Sequence, residues 1–322
     1  MKNEKKPVAI VGGGIVGLLS AWYLAEAGLP SVVFDRQTAG NESSWAGGGI
    51  LTPLYPDRYP SLLQLSAASL SEYPRIVETV AASSGIQPEL IFSRLIAVDI
   101  NKRAESPATA VATIDRLEPA LKLPGTLATC YPSAQIRNPR LLCALRADLT
   151  AKGVQFEEHC EIVRFLHDGS RLTGLSTNRS TFEIKNCIVA AGAWSGSLLS
   201  ATGLALPIRP IKGQMIVIAG PPGLITNIIV HEYRYLIPRV DGRVLVGSTT
   251  EDVGFTKNIT ATTREQLHSA ATKLVPELER YPIEHHWAGL RPGSPDDAPF
   301  IGEHPGIKGL FVCAGHYRNG FA

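Results

Sequence analysis

The chain has 322 residues, a length that the usual domain-size range divides into about two domains. It is 44% hydrophobic and 19% charged, which excludes global disorder, and 31 Lys and Arg against 29 Asp and Glu exclude nucleic-acid binding driven by bulk charge. No stretch reaches the ~18 uninterrupted apolar residues of a membrane span, so no membrane partner is expected either. Residues 8–11 (VAIV) are an apolar run ending in glycine, the pattern of a buried strand. Residues 15–27 follow as a predicted helix, with Ile15, Leu18, Leu19, Trp22 and Ala25 at helical spacing and Gly28 as the stop. Residues 31–34 (SVVF) form a second apolar strand that ends at Asp35 and completes a βαβ opening. Lys2, Lys5 and Lys6 ahead of the apolar stretch imitate a signal peptide, but Gly12, Gly13 and Gly14 break it, and strand, turn and helix is the better reading.

Farther along, 61–83 predicts a helix and 90–100 a strand. Residues 139–151 predict a helix with Pro139 in its first turn and Asn138 as its cap. Strands are expected at 154–158 and 187–190. Between 206 and 249 several β runs (MIVIA, YLIP, VLVGST) are separated by Pro and Gly, which suggests an antiparallel sheet. A helix at 262–275 precedes strand-like HHWAGL, PFIG and LFVCAG. No repeat, low-complexity tract or long linker divides the chain. The fold class expected is therefore α/β: a Rossmann-like domain (1–85, 138–204 and 285–322) interleaved with an antiparallel β-sheet domain of α+β character (86–137 and 205–284). The five cysteines are odd in number and lack any CxxC, which argues against a disulfide framework or a structural zinc and for a reducing, cytoplasmic setting.

Gly12-x-Gly14-x-x-Gly17 sits between the first strand and the first helix, the context that makes this motif a dinucleotide cradle. Gly12 permits the tight turn, Gly14 lets backbone approach a pyrophosphate, and Gly17 lets the helix pack on the strand. The helix N-terminus offers amides to phosphate, and Asp35 stands where a carboxylate binds ribose hydroxyls and repels a 2′-phosphate. A second backbone segment, IVAAGAWS with Gly192, can lie along the same cofactor. With one such motif, either NAD is the sole cofactor or FAD is reduced directly by substrate.

The segments GNESSWAGGGILTPLYP (40–56), KGQM (212–215), YLIPR (235–239), HWAGLRPGSPD (286–296) and GHYRNG (315–320) resemble the D-amino-acid-oxidase family of flavoproteins, and within it the glycine oxidases of thiamine biosynthesis. The match runs in the family's order from Val8 to Gly320. It implies noncovalent FAD, oxidation of glycine or another small amino acid or amine, and dioxygen as acceptor with hydrogen peroxide as product. A homo-oligomer is implied by the resemblance alone. By position, Gly12, Gly14, Ile15 and Val16 match the pyrophosphate loop, Asp35 and Arg36 the ribose contact, and Ser43, Ser44, Gly48, Gly49 and Ile50 the loop along the flavin. Ile162 matches the adenine end, and Tyr317, Arg318, Asn319 and Gly320 the segment at the ring. Arg291 matches the arginine that holds the substrate carboxylate, with Tyr235 and Arg318 lining the pocket.

Hydride transfer to flavin needs no side-chain acid–base pair, so none is assigned. A rigid fork for a carboxylate is needed, and Arg supplies one. Each assignment has a plainer rival. Arg291 could pair with Asp296 or Asp297, Tyr235 could be a core residue, and Arg318 could be a solvated loop residue. Trp45 and Trp194 could wall the cofactor but read better as buried packing. His285 and His286 are adjacent, lack metal-ligand spacing and read as structural. Family members continue past GHYRNG with a further helix aimed at the flavin, whereas this sequence stops at Phe321-Ala322. The expectation that follows is weak FAD binding or slow turnover, or at the extreme an inactive flavoprotein. An amino-acid dehydrogenase that passes electrons to a quinone is the other alternative.

Overall fold

The computed structural model of the chain describes residues 6–52, 60–98, 110–123 and 127–322. Lys2, Lys5, residues 53–56 of the glycine-rich motif and the last two residues of the strand expected at 90–100 lie outside them.

A six-stranded sheet carries the first half of the architecture, in the order Phe300–Glu303, Leu310–Ala314, Cys187–Val189, Val8–Val11, Ser31–Phe34 and Gln155–Glu157. Its neighbours are parallel except for the antiparallel edge pair Phe300–Glu303 and Leu310–Ala314. VAIV and SVVF are apolar at nearly every position because both faces of a parallel sheet are covered. On one face, helices Ile15–Glu26, Pro60–Ser84 and Asn138–Ala151 close a core around Leu18, Trp22, Val80 and Leu145. Gly28 ends the first helix in the left-handed conformation, φ +67°. On the other face a small antiparallel sheet, Ile162–His167, Leu172–Thr177 and Thr181–Glu183, packs Phe165 and Leu175 into a core with Phe34 and Leu310. The sequence reading contains no such sheet.

The second half is a nine-stranded sheet among the described residues: Ile283–Gly293, Arg209–Ala219, Arg243–Gly247, Arg234–Pro238, Ile228–His231, Ile91–Ala97, Leu127–Gln135 and Ile50–Leu51 in order, with Ala110–Thr113 also paired to Leu127–Gln135. Helix Ala261–Leu274 seals one face over Ile216, Leu236 and Val246. The sheet is not wholly antiparallel: Ile91–Ala97 and Ile228–His231 pair in parallel, because no hairpin joins them and nothing local sets their direction. Strand Ile283–Gly293 continues unbroken past 285, the point where the sequence reading returns to the first unit, and stays paired with Arg209–Ala219 as far as Gly293.

Asn138 is not a cap. It is the first residue of its helix, after Arg137, and no side chain caps that end. Its fully buried amide instead donates from Nδ2 to the Ser44 carbonyl at 2.9 Å, which ties the glycine-rich loop to the helix. A polar group with no water around it goes where an acceptor is available, and that acceptor belongs to a loop distant in sequence.

Candidate active site

A cavity of about 1080 Å³ is lined from both large sheets. On the six-stranded side it opens at the carboxyl ends of Val8–Val11 and Cys187–Val189, where the strand order reverses, the crevice in which open α/β sheets bind ligands. Gly12 sits there at φ +107°, and a Cβ on it would strike the Ala190 carbonyl. The Ile15 amide donates to Ser44 Oγ at 2.9 Å and the Gly13 amide to Asp35 Oδ2 at 2.8 Å. The first-turn amides of Val16 and Gly17 have no intrahelical acceptor, as at any helix N-terminus. Asp35 also accepts from the Gln37 amide at 2.8 Å. Burial raises its pKa above the ordinary value, with those two amides and Arg36 opposing the rise. Gly17 does not line the cavity. A Cβ there would lie 1.9 Å from the Gly12 carbonyl oxygen, so this glycine allows the close approach of helix and strand.

The loop Gly47–Gly48–Gly49 runs along the cavity under tight packing. A Cβ on Gly48 would lie 2.6 Å from Ile237 Cδ1, and one on Gly49, at φ +72°, would strike the Ile136 carbonyl. Arg239 pins this loop. Its buried guanidinium donates to Gly48 O at 2.8 Å, Gln135 Oε1 at 2.9 Å and Ile136 O at 3.1 Å, and burial brings its pKa down to about 10. From sequence Arg239 is only the last residue of YLIPR, with no role assigned. An arginine ending an apolar strand was the available signal. Beside the loop, Thr52 faces the cavity with its hydroxyl buried and without a partner among the described residues.

On the nine-stranded side Arg291 reaches the cavity from strand Ile283–Gly293. Its Nη1 donates to Thr249 O at 3.1 Å and its Nη2 to Ser248 Oγ at 2.5 Å. Its guanidinium lies over Gly213 so closely that a Cβ there would occupy its place. Neither Asp296 nor Asp297 pairs with it, and among the described residues its hydrogen-bond partners are neutral. The remaining N–H donors are available to an anion.

Ile162, Gly192, Tyr235 and Tyr317 through Gly320 also line the cavity, as do Ser43 and Ile50. The Tyr235 hydroxyl lies 3.5 Å from Met215 Sδ, a weak acceptor. Arg318 is exposed at the rim, with Nη2 3.3 Å from the Tyr317 hydroxyl and 3.4 Å from Thr250 Oγ1. The tryptophans depart from expectation. Trp45 is 42% exposed, meets Trp287 edge-on and stays off the cavity. Trp194 does wall the cavity, held between Arg36, 3.7 Å above its ring, and the stacked ring of Phe255. His285 and His286 stand away from the cavity lining.

His316, unassigned from sequence, lines the cavity beside Cys313, and burial lowers its pKa from 6.5 to about 4. The unfolded chain therefore takes up this proton first. Stability should fall as pH drops from about 6.5 toward about 4, by on the order of 3 kcal/mol. His316→Gln is expected to flatten this acid limb of stability, read as the urea midpoint against pH.

The sequence model of the family described as FAD dependent oxidoreductase (DAO) matches residues 7–322. The chain belongs to this family. It is 43% identical to a glycine oxidase of Pseudomonas putida, over 98% of this chain and 90% of that protein. It is 32% identical to the bifunctional protein ThiO/ThiG of Synechocystis sp., over 97% of this chain and 49% of that one. The crystal structure of glycine oxidase from Geobacillus kaustophilus superposes with a TM-score of 0.91 at 29% identity, covering 98% of this chain and 90% of the other. The chain is thus an FAD-dependent oxidoreductase with the mixed α/β fold of the glycine oxidases. Its own geometry fits that cofactor. The cavity reaches from the Gly12 turn to Arg291, a Cβ on Gly192 or Gly320 in its lining would meet nothing within 4 Å, and the Thr52 hydroxyl is buried without a partner among the described residues.

Proposed function

We propose that this chain oxidises glycine or another small amino acid, with noncovalent FAD as cofactor and dioxygen as final acceptor, in support of thiamine biosynthesis. The observation that carries the reading is Arg291, a cationic fork in the cavity wall whose partners are neutral. The relatives named glycine oxidase and ThiO/ThiG point the same way.

Division of labour follows the two sheets. Gly12, Gly14, Ile15 and Val16 would hold the pyrophosphate at the helix N-terminus, and Asp35 the ribose, with Arg36 beside it against Trp194. Ile162 and Gly192 would lie along the adenosine end. Ser43, Ser44, Gly48, Gly49 and Ile50 would flank the flavin ring, with Tyr317, Asn319 and Gly320 across from them. When bound, FAD supplies a two-electron acceptor for the hydride on the amino acid's α-carbon. The protein's part is to bind and orient. Arg291 grips the carboxylate, and Tyr235 and Arg318 close around it from strand and rim. A fixed carboxylate places the α-carbon in one position, and positioning of this kind accounts for a large share of a barrier reduction. The imine product hydrolyses to an oxo acid and ammonia.

Peroxide formation during glycine turnover, measured in air with and without an added artificial electron acceptor, tests the acceptor. Stoichiometric peroxide in air is expected. Turnover that requires the artificial acceptor and yields no peroxide would identify a dehydrogenase instead.

A further inference from the structure

We propose that the ion pair between buried Lys212 and half-buried Glu251 is a positioning device for Arg291, although neither side chain lines the cavity. The inference rests on the proposed role of Arg291 and deepens it.

Arg291 takes its orientation from two consecutive residues. Ser248 Oγ and Thr249 O accept from its two terminal nitrogens, and Gly213 forms the floor. Ser248 and Thr249 lie beyond the end of strand Arg243–Gly247, so the hydrogen bonds of that strand do not fix them. Ser248 is tied through its carbonyl, which accepts from Arg234 Nη1 at 2.8 Å, whereas Thr249 is held by its amide on Gln214 O at 3.4 Å and by a polar cluster built on strand Arg209–Ala219. Lys212 and Glu251 exchange both backbone hydrogen bonds at 2.9 Å, which closes the segment onto the strand. The Glu251 carboxylate then accepts from Lys212 Nζ at 2.7 Å, Gln214 Nε2 at 2.9 Å and Thr249 Oγ1 at 2.5 Å. Thr249 Oγ1 in turn accepts from the Gln214 backbone N–H at 2.9 Å.

Thr249 is therefore held by its side chain on one side while its carbonyl faces Arg291 on the other. Lys212 is 4% exposed and Gln214 fully buried, so these bonds are shielded on the side of the strand, while the Glu251 carboxylate keeps part of its surface. An ion pair with one member taken out of water is a poor way to gain stability, since desolvation offsets most of the attraction. Its geometric effect is larger. It fixes the Glu251 carboxylate, which fixes Thr249, which fixes the direction of the guanidinium. Lys212, Gly213 and Gln214 are consecutive, so alternate side chains serve the network while the glycine between them leaves room for the fork.

The test uses FAD-loaded protein and acetate, a carboxylate that is not turned over, with binding read from the perturbation of the flavin absorbance. Lys212→Met removes the charge at similar bulk, and Thr249→Val cuts the link while keeping the carbonyl. Both are expected to weaken acetate binding by about tenfold or more, because small displacements of an orienting group have effects of that size. Flavin content should stay near wild type, and KM for glycine should rise more than kcat falls. Lys212→Arg should recover part of the affinity. If Lys212→Met fails to fold or to hold FAD, Thr249→Val decides. Wild-type acetate affinity in Thr249→Val, alongside its loss in Arg291→Ala, would overturn the proposal and leave the role of Arg291 standing. Wild-type affinity in Arg291→Ala would overturn that role, and this inference with it.

Discussion

Replacing Arg291 by Ala is expected to lower kcat/KM for glycine by roughly two orders of magnitude or more, the equivalent of about 3 kcal/mol. The guanidinium is half-buried in the cavity wall, and its hydrogen bonds to Ser248 and Thr249 hold the fork without neutralising it. A substrate carboxylate would complete its charge balance in a site shielded from bulk water, where such a pair is worth far more than at a surface. Most of the loss should appear in KM, because the carboxylate is bound in ground and transition state alike. Part should appear in kcat, because an unanchored α-carbon samples unproductive orientations. Arg291→Lys keeps the charge without the planar fork and should fall between wild type and Ala. Steady-state kinetics on FAD-loaded protein check this. Unchanged KM and kcat in Arg291→Ala would remove the substrate from this corner of the cavity.

The second large effect is expected at Gly17. A methyl group there meets the Gly12 carbonyl oxygen, which is backbone and cannot swing aside. The helix would have to withdraw from the strand, and the turn that carries Gly12 and Gly14 would move with it. Gly17→Ala should cost about 3 kcal/mol or more of stability. The purified protein should also carry little flavin. Gly28 provides the control. It follows the same helix at φ +67°, where a Cβ meets nothing within 4 Å. Gly28→Ala should cost about 1 kcal/mol from conformational strain alone and leave flavin binding intact. Equal losses in the two variants, by thermal denaturation and flavin absorbance, would show that contact with Gly12 is not what the residue provides.

Much of the cofactor side was legible because it depends on local rules. VAIV and SVVF are continuous apolar runs, and both became central strands of a parallel sheet. The need for glycine at position 12 was legible because a left-handed turn against a neighbouring carbonyl leaves one residue type possible. Gly17, read from its spacing as the close contact of helix and strand, has the Gly12 carbonyl oxygen 1.9 Å from where a Cβ would stand. The three-stranded sheet went unread because IVRFLH alternates imperfectly, with two exposed positions in a row, and Gly174 looks like a break. In the fold Gly174 is needed since a Cβ would lie 2.5 Å from the Phe182 carbonyl on the neighbouring strand. Asn138, Arg239 and His316 share another limit. Each was visible as a polar residue in or beside an apolar run, but the partners of the first two, Ser44 and Gly48, and the burial of the third are fixed by tertiary packing that spacing does not encode. Trp45 and Trp194 show the same limit in reverse, since two aromatic residues flanking glycine loops ended on different sides of the cavity wall.

Every role proposed above requires FAD to span one cavity from the Gly12 turn to the wall that holds Arg291. Anaerobic addition of glycine to the FAD-loaded protein tests it most directly, followed through the visible absorbance of the oxidised flavin. Loss of that absorbance on mixing, its return on admitting air, and its persistence at the same glycine concentration in Arg291→Ala are the expected results. A flavin band that glycine, sarcosine, D-alanine and D-proline all leave untouched, or protein that retains no flavin after incubation with excess FAD, would contradict it.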